Sequence, residues 1–304
     1  MSIFDKDLLT GRDKIETAIA RIQTFCAGKR TLVAFSGGKD SQCCYHLAKA
    51  AGIEFSAQYS ITRFEPPELM VFIREHYPDC VFRRAYKRTL VASIEVHGLP
   101  SMFTRWCCEA KHTKTVGYDI AIIGVRAEES ARRKRNWRLF GTKPDKTSYL
   151  CPVIDWTEAD VWEYLNATGA PHCCLYDPPY NFRRIGCVMC PLKSPREMQR
   201  DAQIWPKMAA MIKQGAARFV ERMRARNWLT TRGTPVGDWR LAKNPLEEFW
   251  RRWIESGQTT MSVEAFQAHQ RGRTEDDAPC LFAGTGFSES DGADEDGERD
   301  GLEQ

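Results

Sequence analysis

No stretch of this 304-residue chain approaches the ~20 consecutive apolar residues that a bilayer-spanning helix needs. The opening segment, Met1 to Lys14, scatters its charges and has no apolar centre, so it does not read as a secretory signal. Both absences lead to the expectation of a cytoplasmic protein with no membrane partner. Also missing are an internal repeat, a sustained heptad, and the Gly-x-x-x-x-Gly-Lys-Ser/Thr loop of the common NTPases. A solenoid, a coiled-coil dimer and a Walker-type nucleotide site are thereby set aside. Residues 283–304 have almost no apolar side chains and carry eight acids against the single base Arg299. Such a segment buries too little surface to order itself, so an acidic, disordered tail is expected from residue 276 onward. The tail's −7 leaves +11 for the rest of the chain, whose total is +4. A basic body suits a phosphate-rich partner, and a solvated basic surface is the plainer alternative.

Cysteine, by contrast, is abundant, with twelve in the chain. In a reducing compartment these are not disulfides, and an excess of thiols points to metal or redox chemistry.

Hydrophobic runs alternate with helical patterns, which predicts βα units on a largely parallel sheet. Strands are expected at Thr31–Phe35, Ile53–Tyr59, Cys80–Ala85, Asp119–Val125 and Tyr149–Ile154. Helices are expected at Ser41–Ala51, Pro66–Tyr77 and Thr157–Leu165, the last capped by Thr157. Beyond about Tyr176 prolines and aromatics replace this alternation. Ser194-Pro195-Arg196-Glu197 is a capping box, and Asn244-Pro245-Leu246-Glu247 opens an amphipathic helix carrying Phe249, Trp250 and Trp253. The expected organisation is an α/β nucleotide-binding domain over residues 1–170, a helical, cysteine-bearing region over 171–275, and the tail.

Ser36-Gly37-Gly38-Lys39-Asp40-Ser41 falls between the first strand and its helix. An open parallel sheet presents ligand sites there, beyond a strand's carboxyl end. Two glycines let backbone N–H groups approach phosphate oxygens, and the following helix adds its unpaired N–H groups and positive dipole end. Ser36 and Ser41 supply hydroxyls and Lys39 a point charge. Asp40 repels phosphate, so its role is to hold Mg2+ or to position the loop. Gly124-Val125-Arg126-Ala127-Glu128-Glu129-Ser130 follows a later strand, with Arg132 and Arg135 three apart behind it. It would put the Arg126 guanidinium at the same sheet edge.

The loop Ser36–Ser41 resembles the signature of the PP-loop ATP pyrophosphatase superfamily. Together with Gly124–Arg133 and the stretch Cys151–Leu165 it is similar to the phosphoadenosine phosphosulfate (PAPS) reductase-like branch, over roughly residues 30–195. The resemblance implies a Rossmann-like, doubly wound parallel sheet of the adenine nucleotide alpha hydrolase-like type. It implies ATP and Mg2+ as ligands, and a nucleotide site of Ser36, Gly37, Gly38, Lys39, Asp40, Ser41, Gly124, Arg126, Glu129, Ser130 and Arg132, with Lys39, Asp40 and Arg126 acting in catalysis.

Cys187-Val188-Met189-Cys190 supplies two thiolates at a spacing suited to one cluster, so two more come from elsewhere. Thiolate-only ligation suits iron–sulfur or structural Zn2+. Adenylylsulfate reductases hold a [4Fe-4S] cluster with a Cys-Cys pair and a later Cys-x-x-Cys, which Cys107, Cys108, Cys187 and Cys190 match. The DNA phosphorothioation subunit DndC and its relatives use one early cysteine, then a Cys and a Cys-x-x-Cys about ten residues on. Cys107, Cys174, Cys187 and Cys190 match that layout, which the local text around Tyr176–Pro191 favours, with Cys108 the alternative fourth ligand. Cys26, Cys43, Cys44, Cys80 and Cys151 read as small core residues.

Sulfonucleotide reductases usually carry a degenerate phosphate loop and a late Glu-Cys-Gly-Leu-His nucleophile. This chain keeps the full loop, and its one late cysteine, Cys280, stands beside Glu275, Asp276 and Asp277, which oppose a thiolate. The expected reaction is therefore adenylation of a substrate with release of pyrophosphate, followed by sulfur transfer. The acceptor is a nucleic acid (DNA or tRNA) or a small molecule, and the sulfur donor a protein such as a cysteine desulfurase or thioredoxin. The alternatives are a PAPS or adenylylsulfate reductase that forms sulfite, and a non-catalytic nucleotide sensor.

Overall fold

The computed structural model describes residues 2–7, 10–108, 117–142, 147–229 and 236–257. The expected tail and Cys280 lie outside the described residues. A six-stranded sheet runs in the order β3-β2-β1-β4-β6-β5. Its strands are β1 (Thr31–Ala34), β2 (Phe55–Ile61), β3 (Val81–Arg84), β4 (Ile120–Ile122), β5 (Phe140–Thr142) and β6 (Ser148–Leu150). All neighbours pair in parallel except β5, which lies antiparallel on β6 at the edge. The chain starts in the middle, at β1, and winds outward both ways. That order makes the carboxyl end of β1 a switch point, where α/β sheets open a crevice.

Flanking helices are α1 (Lys14–Cys26), α2 (Lys39–Ala50), α3 (Pro67–His76), α4 (Leu90–His97), α5 (Ala131–Asn136) and α6 (Glu158–Ala167). Local chemistry fixes their starts. Asp13 and Glu16 form a capping box on α1, and Thr157 and Asp160 form another on α6. The central strands are apolar on both faces, with Leu32, Val33, Ile120 and Ile122 all buried, as a sheet covered by helices on both sides requires.

Among the described residues after 190, the main elements are helices: α7 (Pro195–Ile204), α8 (Pro206–Ala225) and α9 (Pro245–Ser256). Each has proline in its first turn, where the missing N–H costs nothing. Trp253 is fully buried and donates its indole N–H to the Pro100 carbonyl at 2.6 Å, tying α9 to the segment before Cys107 and Cys108.

Two expected boundaries shift for reasons that matter to the site. The helix expected from Ser41 begins at Lys39, because Gly38 takes the extended cap conformation and the Ser41 hydroxyl folds back onto the Gly38 carbonyl at 2.8 Å. The strand expected over Asp119–Val125 pairs only over Ile120–Ile122, since the chain then turns to press Gly124 against the start of α2.

Candidate nucleotide site and cysteine cluster

The loop after β1 is a tight, internally braced turn. Gly37 sits at φ +70°, and a Cβ there would stand 2.7 Å from Leu69 and Ile73 of α3, so glycine is required twice over. The Ser41 hydroxyl accepts from the Ser36 N–H at 3.1 Å, and the Gln42 amide donates to the Gly37 carbonyl at 2.9 Å. These bonds brace the N-terminus of α2 at the carboxyl edge of the sheet, where the helix's positive dipole end favours an anion.

Gly124, at the end of β4, approaches the same helix start. A Cβ at Gly124 would lie 2.7 Å from the Asp40 carbonyl carbon and 2.9 Å from the Ser41 nitrogen. This contact delivers Arg126, whose Nε donates to Asp40 Oδ1 at 2.5 Å and whose Nη1 lies 2.6 Å from Glu128. Arg126 is 3% exposed. Burial disfavours its charge, but Asp40 and then Glu128 outweigh it and hold the guanidinium above its ordinary pKa. Glu129 accepts from the Arg126 N–H at 3.2 Å and pairs with Arg133 and with Arg184 at 3.3 Å. Ser130 caps α5 by accepting from the Arg133 N–H. Lys39, Asp40, Gly124, Arg126 and Glu129 are thus joined by one chain of contacts. Arg132 lies half-buried on the short α5 beyond Ser130.

Several residues of this site carry no motif of their own. Lys39, 3% exposed, points its Nζ at the Arg183 carbonyl (3.0 Å) and the Glu158 carboxylate (3.2 Å). Burial raises the Glu158 pKa, but Lys39 and Arg183 outweigh it, so the carboxyl stays below its ordinary value. The Tyr176 hydroxyl accepts the backbone N–H of Lys39 at 3.0 Å. Glu158, Trp162, Tyr176, Asn181, Phe182 and Arg183 line a cavity of about 340 Å³ on this side of the loop. In the sequence these residues lie within Cys151–Leu165 and Tyr176–Pro191, the stretches that carry the family resemblance, but none is among those expected in the nucleotide site.

The cysteines divide into groups. Cys26, Cys43, Cys44, Cys80 and Cys151 are buried. Burial pushes the Cys43 and Cys44 thiols far above their usual range, as suits inert core residues. Cys107 is held up first by its hydrogen bond with Cys108, then by burial, and further by Cys187 and Cys190. Burial, then Cys187, pushes Cys190 up to about 12, against the opposing charge of Lys193. Cys107, Cys108, Cys187 and Cys190 therefore share one neighbourhood. Cys174 is exposed and acts instead on its buried neighbour Cys173. The Cys107 and Cys190 thiols are each held up partly by their thiol neighbours, and a cationic metal centre would stabilise such a donor set as thiolates. Among the described residues no three His, Cys, Asp or Glu side chains surround one point closely enough for a single ion. A four-iron cluster spreads its four thiolates over four irons rather than gathering them on one ion.

The Cys-x-x-Cys loop is itself anchored. The Val188 N–H donates to the Phe64 carbonyl at 2.7 Å, at the carboxyl end of β2. The Met189 N–H, on a residue at φ +51°, donates to the fully buried Asp201 at 2.7 Å. The sheet order thus sets the cysteines beside the phosphate loop, one strand away.

No described helix is long and apolar enough to cross a membrane. Comparison with known proteins identifies the family. An uncharacterized Methanocaldococcus jannaschii protein is 30% identical over 194 residues, covering 59% of this chain and 40% of that protein. An adenosine 5'-phosphosulfate reductase of Bacillus cereus is 29% identical over 136 residues, covering 42% of this chain and 57% of its own length. The chain therefore spans about half the length of the curated relatives it matches. Among solved structures, phosphoadenylyl-sulfate (PAPS) reductase from Candida auris overlaps with TM-score 0.44 at 12% identity, covering 56% of this chain and 88% of that one. The U34-tRNA thiolase NcsA from Methanococcus maripaludis, solved with its [4Fe-4S] cluster, overlaps with TM-score 0.41 at 12% identity, covering 80% and 95%. The phosphoadenosine phosphosulfate reductase domain model matches residues 30–193, more than half of the sequence, and the chain belongs to that family.

Proposed function

We propose that this chain is an enzyme that binds ATP with Mg2+ on the Ser36–Ser41 loop, adenylates an acceptor with release of pyrophosphate, and so prepares it to receive sulfur. The observation that carries this reading is the complete phosphate loop: the α2 N-terminus, a buried Lys39 and a buried Arg126 paired with Asp40 at the same edge.

In this reading the α2 N–H groups and Lys39 bind the β and γ phosphates, with Lys39 exchanging its contact with Glu158 for phosphate. Asp40, fixed by Arg126, holds Mg2+. An acceptor oxygen attacks the α-phosphorus, the bond to the bridging oxygen breaks, and pyrophosphate leaves as Arg126 offsets its growing charge. A sulfide-level sulfur then displaces AMP from the activated carbon or phosphorus. Cys107, Cys108, Cys187 and Cys190 would hold a [4Fe-4S] cluster, with Cys174 the alternative ligand and Zn2+ the alternative metal. The bound cluster would supply an iron site for sulfur.

The second reading is a sulfonucleotide reductase, favoured by the grouping of Cys107 and Cys108 with Cys187 and Cys190. One assay separates them. Incubation with ATP, Mg2+ and labelled pyrophosphate gives exchange into ATP under the first reading. Incubation with adenylylsulfate and a thiol gives sulfite under the second. Exchange absent with every acceptor tried, together with sulfite formation, would overturn the adenylation reading.

A further inference from the structure

Arg83-Arg84-Ala85-Tyr86-Lys87-Arg88 places four cations in six residues, and no acid occurs from Val81 to Ile94. The strip leaves the carboxyl end of β3, and Arg83, Arg84, Lys87 and Arg88 are all exposed. It has a fixed seat. The Tyr86 hydroxyl donates to the Trp106 carbonyl, and the Tyr86 and Trp106 rings meet edge to face at 5.4 Å. Trp106 immediately precedes Cys107. His97, at the end of α4, packs on Trp106 at 5.1 Å. Burial lowers the His97 pKa, and Arg88 together with Arg222 of α8 lowers it further. Cations from two distant stretches of sequence therefore converge around the Trp106–Cys107 junction. The nearby Glu95 is engaged by Arg218 at 3.5 Å.

The sheet order gives this patch its meaning. Along the carboxyl edge, β3 bears the basic strip, β2 bears the Phe64 carbonyl on which the Cys-x-x-Cys loop docks, and β1 bears the phosphate loop. Strand spacing puts the strip roughly 10 Å from the phosphate loop, with the cysteines between them. A small acceptor has no use for cations spread that far. A polymer with a charge at every unit does, because each neutralised phosphate adds affinity by releasing counterions. We propose that the acceptor is a nucleic acid, whose backbone lies along Arg84, Lys87, Arg88 and Arg222 and presents its reacting nucleotide past Cys107 toward the Ser36–Ser41 loop. This proposal rests on the adenylation reading for the chemistry, but not for the binding.

The test measures the full-length protein in two independent titrations. Fluorescence anisotropy with labelled 30-nucleotide RNA and DNA at a series of salt concentrations follows the polymer, and calorimetry with ATP and Mg2+ follows the nucleotide. The wild type is expected to bind at least one polymer, with log K falling linearly in log salt. Lys87→Glu with Arg88→Glu is expected to weaken it about tenfold or more at 100 mM salt and to reduce the slope by roughly two phosphates' worth. ATP affinity stays within about twofold, and Lys87→Arg with Arg88→Lys retains polymer binding. Unaltered polymer binding in the charge-reversed protein overturns the proposal. So does a wild type that binds ATP but neither polymer, or one that an acidic protein saturates while neither nucleic acid competes. Polymer bound without any ATP affinity instead overturns the adenylation reading and leaves this surface standing.

Discussion

Arg126 and Asp40 meet at 2.5 Å, bridging the loop after β4 and the first turn of α2. Both side chains are largely buried, so neither charge is replaceable by solvent. Arg126→Ala leaves Asp40 free to repel phosphate, while Asp40→Asn removes the carboxylate proposed to hold Mg2+ and leaves Arg126 paired with Glu128 alone. Each is expected to lower pyrophosphate exchange by about a hundredfold or more, the scale of losing one aligned charged group in a transition state. Arg126→Lys keeps the charge but not the two-sided contact with Asp40 and Glu128, and recovers only part of the rate. Steady-state exchange kinetics check the ordering, and equal rates for Arg126→Lys and the wild type would remove Arg126 from the site.

Gly124 makes a sharper steric prediction than either loop glycine. Its missing side chain is what lets β4 touch the backbone of Asp40 and Ser41, and that backbone cannot yield without moving the α2 N-terminus. Gly124→Ala is expected to cost about 2 kcal/mol of stability and to weaken ATP binding together with it. Gly38→Ala is the control. Its nearest neighbours would be 3.5 Å away and its φ is −81°, so alanine fits there. Thermal melts without ligand distinguish the two, and a Gly124→Ala protein as stable as Gly38→Ala would contradict the contact.

How much of this was legible in the sequence follows from which contacts are local. The glycine pair between a strand and a helix fixed the phosphate loop, because both its geometry and its dipole come from adjacent residues. The partner of Lys39 did not show, since Glu158 arrives from a helix more than a hundred residues later, and its resembling stretch, Cys151–Leu165, does not say which side chain turns toward the loop. The cysteine spacing left two ligand sets open. Folding groups Cys107 and Cys108 with Cys187 and Cys190, while the turn at Cys174–Tyr176 leaves Cys174 exposed beside Cys173. The edge strand β5 is three residues long with a central glycine, too short for any periodicity to register. The twenty-residue α8 begins at Pro206, with one residue between it and the end of α7 at Ile204, and that proline is the one sequence mark of a boundary within a shared polar-apolar texture.

Asp201 organises the Cys-x-x-Cys loop from below. One of its oxygens accepts from the Met189 N–H at 2.7 Å and from Lys193 at 2.5 Å, and its other oxygen is buried without a protein partner. Breaking a buried pair costs more than replacing both members, because one charge is then stranded. Asp201→Ala is expected to destabilise the chain by about 3 kcal/mol, and Lys193→Met with Asp201→Leu by clearly less. The double variant still lacks the acceptor for Met189, whose left-handed backbone is unfavourable on its own. Its cysteines should therefore react faster with a thiol reagent than those of the wild type. Urea titrations and labelling rates check the pair, and a double variant as unstable as the single one would show that the charge pairing is not what matters.

The last prediction concerns acid. On α9 the Glu248 carboxylate accepts from Arg251 at 2.8 Å and from Arg252 at 2.6 Å, and Arg252 also reaches Asp238. The Arg251 hydrogen bond first, then Arg252 against some burial, holds the Glu248 pKa down at about 2, from an ordinary 4.5. A carboxylate depressed in the folded state binds its proton more readily when unfolded. Its contribution is thus complete above pH 4.5 and disappears as the pH falls toward 2. At about 1.4 kcal/mol per pH unit the upper bound is about 3 kcal/mol, and the partial exposure of Arg251 reduces it to about 1. Glu248→Gln should therefore lower the stability by about 1 kcal/mol at pH 7 in low salt. The gap should narrow as the pH drops below 4.5 and shrink as salt is added. Chemical denaturation of both proteins at several pH values measures that difference directly. A gap that is constant from pH 7 to 3 would assign the role of Glu248 to packing of its side chain rather than to its charge.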